Sequence, residues 1–196
     1  MNKTEIYHLL KQKNIWHTIT EHQAVFHMSQ LSDTALSHPE CEAKNLFVRD
    51  DKKRNYYLIT VKGDKRVNLK KFRQKNGTRP LSFASEKELM EQLDLLTGAV
   101  SPLGLLNHAN CMVQYFLDET FLESPGLINI HPNDNTATVC MRTEDLILLL
   151  KEHGISIQIT SIAADNAESN AMKRNDNSSS CMSKIIFQQN LHSTDS

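Results

Sequence analysis

The spacing of apolar residues predicts a series of short helices and strands up to about residue 160. Helical spacing, together with capping residues or stop signals, predicts five helices. They are a first helix that Thr4 caps and that contains Ile6, Leu9 and Leu10, followed by residues 29–36, 68–75, 86–93 and 144–153. Alternating or short continuous apolar runs predict strands. These cover residues 16–20, 43–49, 56–62, 111–117, 127–130, 136–141 and 155–159.

The order of these elements predicts the fold class. The strands come in hairpin-like groups with helices interspersed, and they lack the regular alternation of a parallel βαβ protein. Residues 43–49 and 56–62, joined by a polar turn, form the clearest predicted hairpin. We therefore expect a single mixed α+β domain over residues 1–160, with a largely antiparallel sheet surrounded by helices.

Residues 161–196 differ in character from the predicted domain. They are rich in Ser, Asn and Asp and contain one apolar cluster, at residues 185–187. Such a segment buries too little apolar surface to fold alone, so we expect a disordered C-terminal tail. The alternative is a segment that docks on a partner through residues 185–187.

Composition excludes several classes of protein. Hydrophobic residues make up 39% and charged residues 23% of the 196, which is ordinary for a globular protein. No apolar run approaches the roughly 20 residues needed to span a bilayer, and the N-terminal segment lacks the apolar core of a signal peptide. The four cysteines and nine histidines form no metal-ligand pattern. We expect a cytoplasmic protein with reduced thiols, no metal, no cofactor and no membrane contact.

Positive charge is concentrated in one segment, although the whole chain has a net charge of −1. Residues 62–79 contain eight lysines and arginines against one aspartate, a net charge of +7. Two interpretations fit: contact with a polyanion such as a nucleic acid, or a solvated face of a lysine-rich helix. The candidate nucleic-acid contacts are Lys62, Lys65, Arg66, Lys70, Lys71 and Arg73.

Three separate sites carry candidate chemistry. Lys44 opens a predicted strand, where a lysine either holds a phosphate or polarised carbonyl, or simply extends into water. Residues 98–104, called here the glycine loop, carry Gly98, Pro102 and Gly104, and such a loop either makes a turn or aims backbone N–H groups at an oxyanion. His131 follows an apolar strand, either as a hydrogen-bonded turn residue or as a pocket wall or proton-transfer group.

Four motifs in this order resemble a known family. They are residues 43–50 (AKNLFVRD), 81–85 (LSFAS), 98–107 (GAVSPLGLLN) and 131–138 (HPNDNTAT). Together they resemble the free-standing prolyl-tRNA editing domains, the YbaK-like relatives of the insertion domain of bacterial prolyl-tRNA synthetase. The similarity spans residues 3–159 and is strongest to the branch that removes alanine from tRNA(Pro).

The resemblance implies an aminoacyl-tRNA hydrolase that cleaves the ester of mischarged Ala-tRNA(Pro) by attack of water, helped by the substrate's own ribose hydroxyl. It implies catalytic roles for Lys44, which would anchor the terminal phosphate, for Gly98 and for His131, which would help exclude proline. The implied substrate-binding residues are Asn45, Ala99, Val100, Ser101, Pro102 and Ile130, without a nucleophilic role for Ser101. The expected partners are the acceptor end of tRNA(Pro) and prolyl-tRNA synthetase. The alternatives are the same fold acting on Cys- or Ser-tRNA, and a non-catalytic module that binds tRNA or a synthetase.

Overall fold

The computed structural model describes residues 1–24, 36–63, 65–109 and 111–163. These residues form two β-sheets and four α-helices. The predicted mixed α+β class is confirmed, but the strands are divided between two sheets. The predicted helix at residues 29–36 falls almost entirely outside the described residues, as does the tail from residue 164 onward.

A three-stranded antiparallel sheet has the order β1-β7-β6. Its strands are β1 (His17–Glu21), β6 (Leu127–Ile130) and β7 (Ala137–Arg142). Along β6 and β7 alternate residues are buried in one apolar core, as period-two alternation requires. The other face of this sheet carries polar side chains, among them Asn129, His131 and Thr138.

The larger sheet has five strands in the order β4-β2-β3-β5-β8. Its strands are β2 (Ala43–Asp50), β3 (Tyr56–Lys62), β4 (Leu81–Phe83), β5 (Gln114–Asp118) and β8 (Ile157–Thr160). The pairs β2–β3 and β2–β4 are antiparallel, whereas β3–β5 and β5–β8 are parallel. Parallel neighbours need long crossover connections, and here these connections contain helices.

Four helices cover the sheets: α1 (Lys3–Gln12), α2 (Leu69–Asn76), α3 (Glu86–Leu93) and α4 (Thr143–Glu152). The predicted capping box of α3 is confirmed. The cap of α1 is Asn2 rather than Thr4, because the Asn2 side chain accepts a hydrogen bond from the backbone of Glu5. Thr143 is the first residue of α4 rather than its cap, and its hydroxyl donates to the Phe121 carbonyl at 2.9 Å.

Two apolar cores lie on opposite faces of the five-stranded sheet. The main core joins that sheet to the three-stranded sheet and to α1, α3 and α4. The second core lies under α2, where the ring of Phe72 packs edge-on against that of Phe116 at 4.9 Å. Ile162 is 3% exposed and belongs to this second core, so the folded unit extends to Ala163, beyond the predicted boundary at residue 160.

Candidate active site

Lys44 and His131 each follow a contact between the two sheets at the same spacing. A parallel bridge pairs Glu42, which precedes β2, with Asn129 in β6. Bridge partners project their side chains to the same side, and residues two positions further on do so again. Lys44 and His131 both lie two residues beyond the bridge in the same chain direction. Their side chains therefore lie on one side of the place where β2 and β6 separate.

The positive charge of Lys44 is not neutralised by a carboxylate in the described part of the chain. Its ammonium donates to the backbone carbonyl of Lys65 at 3.5 Å, and none of the ion pairs among the described residues includes it. Lys65 differs, because its ammonium lies 2.5 Å from the fully buried carboxylate of Asp118. Of Lys44 and Lys65, Lys44 is therefore the one whose positive charge is available to an anionic ligand.

The glycine loop needs both of its glycines. Gly98 has a φ of 90°, in the left-handed region that favours glycine. A Cβ atom at Gly104 would lie 2.5 Å from Cδ1 of Leu95, so a larger residue would force that side chain to move. Between them, buried Pro102 begins a 3-10 turn, Pro102–Asn107. The loop is therefore a closely packed element and not a free surface turn.

Asn45 attaches the glycine loop to the five-stranded sheet. Its Nδ2 donates to the carbonyl of Val100 at 3.0 Å, and its Oδ1 accepts a hydrogen bond from the Thr60 hydroxyl at 2.6 Å. The amide is thereby held by one partner at each end. Asn45, predicted to contact substrate, is seen here to hold the loop.

Two backbone donors of the glycine loop are unoccupied among the described residues. The N–H groups of Val100 and Ser101 have no hydrogen-bond partner there, whereas that of Ala99 donates to the Leu96 carbonyl. The Ser101 hydroxyl accepts from the Leu103 N–H at 3.2 Å, and Ser101 is fully buried. Because Ser101 is fully buried, only the Val100 N–H of these two donors suits stabilisation of a ligand oxyanion, and the Ser101 side chain makes a structural contact.

His131 presents a neutral acceptor nitrogen. Its Nδ1 lies 2.8 Å from the Ala137 carbonyl, which can only accept, so Nδ1 carries the proton. Burial lowers the pKa of His131, and the bond to Ala137 opposes this shift. The ring is therefore neutral at pH 7, and the lone pair of Nε2 is available to a ligand.

His22 is a second histidine at this site that the sequence did not reveal. Its ring centroid lies 6.0 Å from that of His131, and its Nε2 lies 3.0 Å from the Thr138 hydroxyl. The pairing of β1 with β7 places it there. The sequence contains no motif that links His22 to His131.

Two other predicted lining residues lie away from the polar face of His131. Ile130 is 2% exposed and packs in the main core, because strand alternation turns it to the opposite face from His131. Ala99 lines a separate cavity of about 500 Å³ between the glycine loop and the loop after β6. That cavity carries the carboxylates of Glu5, Asp94 and Asp134, so it is unsuited to a phosphate.

The lowered pKa of His131 predicts a pH dependence of stability. Between the ordinary histidine value of about 6.5 and the lower folded value, the unfolded chain binds more protons than the folded one. The contribution to the free energy of unfolding is therefore present above about pH 6.5 and is lost as the pH falls towards the folded pKa. His131→Asn, which can still donate to Ala137, should lose less stability than the wild type between pH 7.5 and 5.5 in urea titrations. An equal loss in both proteins would contradict this assignment.

The lysines and arginines of residues 62–79 fall into two groups in the fold: those that contact other residues, and those that are exposed without an ion pair among the described residues. Lys62 lies 5.9 Å from the Phe121 ring centroid, Lys65 pairs with Asp118, and Lys75 donates to the Ser161 carbonyl. Four other residues are exposed and take part in no ion pair within the described ranges. These are Arg66, Lys70, Lys71 and Arg73, on and just before α2.

The sequence of this chain is similar to those of known proteins over most of its described length. The model of the aminoacyl-tRNA editing domain matches residues 22–149, a range that contains Lys44, the glycine loop and His131. The chain belongs to the aminoacyl-tRNA editing domain family. The prolyl-tRNA editing protein ProX of Acetoanaerobium sticklandii is 37% identical to it over 145 residues, which cover 74% of this chain and 88% of that protein.

Two further similarities extend over most of the editing domain. The prolyl-tRNA synthetase associated domain-containing protein 1 of Mus musculus is 32% identical over 139 residues, covering 69% of this chain and 82% of that protein. A crystal structure of a candidate trans-editing enzyme for prolyl-tRNA synthetase superposes with a TM-score of 0.63 at 19% identity, covering 84% of this chain and 97% of the other. At that identity, the superposition establishes the fold alone.

Within residues 1–24, 36–63, 65–109 and 111–163, no group of three or more His, Cys, Asp or Glu side chains could hold a metal ion. Among the same residues, no helix is both long and apolar enough to cross a membrane.

Proposed function

We propose that this protein hydrolyses the ester of mischarged tRNA(Pro), and that alanine is the amino acid it removes. The observation that carries the proposal is that Lys44, which has no carboxylate partner in the described chain, and neutral His131 each lie two residues beyond the bridge between Glu42 and Asn129. The names of the relatives in A. sticklandii and M. musculus support a substrate connected with prolyl-tRNA.

In the proposed reaction, water attacks the ester carbonyl and the terminal ribose oxygen leaves. Lys44 binds the phosphate of the terminal nucleotide and so fixes the position of the ester. The N–H group of Val100 donates to the carbonyl oxygen as it becomes negative. Nε2 of His131 accepts a hydrogen bond from the α-amino group or from the attacking water, which the substrate's own ribose hydroxyl helps to activate.

The need for such an activity follows from the energetics of amino-acid selection. A synthetase pocket built for proline still admits the smaller alanine, because each missing methylene costs only about 1–3 kcal/mol of binding. A second site that is too small for proline removes the error. We further propose that prolyl-tRNA synthetase supplies the mischarged tRNA.

The proposed function is tested by single-turnover deacylation of tRNA(Pro) carrying alanine, proline, cysteine or serine. Alanine should leave fastest and proline should remain attached. Faster release of cysteine or serine would overturn the assignment of alanine while leaving the hydrolase intact. Binding of tRNA without release of any amino acid would favour a non-catalytic tRNA-binding module.

The exposed cations of α2 are proposed to contact the tRNA acceptor stem. Such contacts are mostly to phosphates, so they strengthen binding and make it sensitive to salt. The double variant Lys70→Ala/Lys71→Ala should raise KM several-fold with little change in kcat. The slope of log KM against log salt should fall by about 0.7–0.9 for each lost phosphate contact.

Lys70 and Lys71 suit this test better than Lys65, because Lys65 forms an ion pair with Asp118. Lys65→Ala would also remove the partner of buried Asp118, so weaker tRNA binding could not be separated from damage to the fold. A matched control is Lys11→Ala/Lys87→Ala, which removes two exposed lysines from α1 and α3. An unchanged KM in the Lys70/Lys71 variant, or an equal rise in the control, would contradict the α2 contact.

A further inference from the structure

One aromatic ring at the edge of the five-stranded sheet faces solvent. Phe83, at the end of edge strand β4, is 64% exposed. It lies in residues 81–85, one of the four family motifs, and has no part in the proposed reaction. A phenyl ring left in water forgoes the free energy that burial provides, so a partner that covers the ring gains affinity.

Strand pairing places Phe83 on the same face of the sheet as α2. Phe83 lies directly opposite Val48 in β2, and Val48 is fully buried in the second core, under α2. Paired residues of neighbouring strands project to the same side, so the Phe83 ring does too. Leu81 packs against this second core, and α2 lies next to β4. Lys44 alternates with Val48 along β2 and belongs to the same face.

This face of the sheet carries positive charge that the described residues do not neutralise. The exposed side chains of Lys70, Lys71 and Arg73 on α2 form no ion pair within the described ranges. In the turn between β2 and β3, Asp51 is neutralised by two bonds from Arg79, at 2.7 and 3.0 Å. An exposed aromatic ring beside free cations suits an unpaired nucleotide, whose base stacks on the ring while its phosphate meets the cations.

The distance along β2 relates Phe83 to Lys44. Four residues separate Lys44 from Val48, and β4 is the next strand, so the Cα atoms of Lys44 and Phe83 lie about 14 Å apart. A stacked nucleic-acid strand advances about 3.4 Å for each nucleotide, so this distance corresponds to about four nucleotides. With the terminal phosphate at Lys44, a nucleotide close to the 3′ end reaches the Phe83 ring.

We propose that Phe83 stacks against an unpaired base near the 3′ end of the bound tRNA. This inference rests on the proposed function, which supplies the tRNA. Every base has a π-face, so the contact adds affinity with little preference for sequence. The ring binds the strand and takes no part in the hydrolysis.

The test measures the dissociation constant of an uncharged RNA hairpin that has the sequence of the tRNA(Pro) acceptor stem and its unpaired 3′ end. Fluorescence anisotropy serves as the readout. Phe83→Ala should raise Kd by about 5- to 100-fold, the usual effect of removing one base–aromatic stack. Phe83→Trp keeps a π-face and should bind within about two-fold of the wild type. Phe83→Leu stays apolar without a π-face and should bind nearly as weakly as Phe83→Ala.

Two controls separate stacking from other causes of weaker binding. On a hairpin that lacks the unpaired 3′ end, wild type and Phe83→Ala should have the same Kd. Leu148→Ala removes another exposed apolar side chain, 58% exposed on α4, which packs on the main core and not on the face of α2. It should leave Kd unchanged.

The stacked base itself is located by removing single bases near the 3′ end while keeping the sugar and phosphate. At one position, loss of the base should abolish the difference in Kd between wild type and Phe83→Ala. Four results would overturn the proposal: wild-type Kd in Phe83→Ala or in Phe83→Leu, an equal effect of Phe83→Ala on the hairpin without the 3′ end, an equal rise in Leu148→Ala, or no position at which base removal matters.

Binding and hydrolysis are read separately, so the two proposals can fail independently. If Phe83→Ala weakens binding as expected while the wild type releases no amino acid from tRNA(Pro), the hydrolase function is wrong and the stacking contact stands. If alanine is released as proposed while Phe83→Ala binds the hairpin like the wild type, the stacking contact is wrong and the hydrolase function stands.

Discussion

Replacing Lys44 with alanine is expected to lower the single-turnover rate of Ala-tRNA(Pro) deacylation by about 100-fold or more. The reason is that Lys44 supplies the unneutralised charge proposed to hold the terminal phosphate and so to fix the position of the ester. The only hydrogen bond of its ammonium within the described ranges is a long one, at 3.5 Å, so the fold should lose little stability. The rate is measured with enzyme in excess over mischarged tRNA, and the fold is checked by circular dichroism and thermal melting.

The matched control for Lys44 is Lys52→Ala. Lys52 is exposed in the turn between β2 and β3, at the opposite end of β2 from Lys44. It carries the same charge, so the control removes one lysine without touching the site, and its rate should equal that of the wild type. A folded Lys44→Ala protein that deacylates at the wild-type rate would exclude the catalytic role given to this lysine.

Replacing Glu88 with alanine is expected to lower the free energy of unfolding by about 3–5 kcal/mol. The carboxylate of Glu88 accepts hydrogen bonds from Arg49 at 3.0 Å and from the backbone of Ser85 at 2.8 Å. The side chains of Arg49 and Glu88 are only 19% and 10% exposed, so alanine would leave the guanidinium without its partner. The loss is measured by urea titration and is a large part of the roughly 5–15 kcal/mol that stabilises a typical domain.

Two further variants separate the ion pair from helix propensity. Glu91→Ala removes an exposed glutamate one turn later in α3, whose contact with Lys87 is a surface pair, and should cost at most about 1 kcal/mol. The double variant Arg49→Met/Glu88→Leu should be more stable than Glu88→Ala, since no buried charge is left alone. Equal costs for Glu88→Ala and Glu91→Ala would show that the ion pair contributes little.

The ionisation of Glu88 adds a pH dependence to the same experiment. Burial opposes the charged form, but the hydrogen bonds from Ser85 and Arg49 outweigh it and lower the pKa to about 2. The stabilising contribution is therefore present above the ordinary glutamate value of about 4.3 and is lost as the pH falls towards 2. Glu88→Ala should remove this acid sensitivity.

The Glu88 contact also bears on the active site. Arg49 and Asn45 lie on the same face of β2, so one strand holds both the start of α3 and the glycine loop that follows it. Loosening α3 should therefore reduce activity at temperatures below the melting point. Lys44, on the other face of the strand, should keep its place.

The sequence by itself determined the type of most elements. Helical and alternating spacing depend only on near neighbours, so Tyr56–Lys62, Glu86–Leu93 and Leu127–Ile130 have the predicted bounds. The four motifs gave the family, which the match to residues 22–149 establishes. Small differences arise at helix ends, where Asn2 and Thr4 offer similar capping chemistry and the local geometry selects between them.

Only the tertiary structure decided which elements meet. Apolar periodicity tells which face of a strand is buried but not which strand lies beside it, so neither the two sheets nor the parallel pairs β3–β5 and β5–β8 could be predicted. The same holds for the charges, because the sequence cannot tell that Lys65 faces Asp118 while Lys44 has no carboxylate partner in the described chain. The residues that carry the proposed chemistry were visible in the sequence. The bridge between Glu42 and Asn129 and the Thr60–Asn45 bond depend on contacts between residues far apart in the chain.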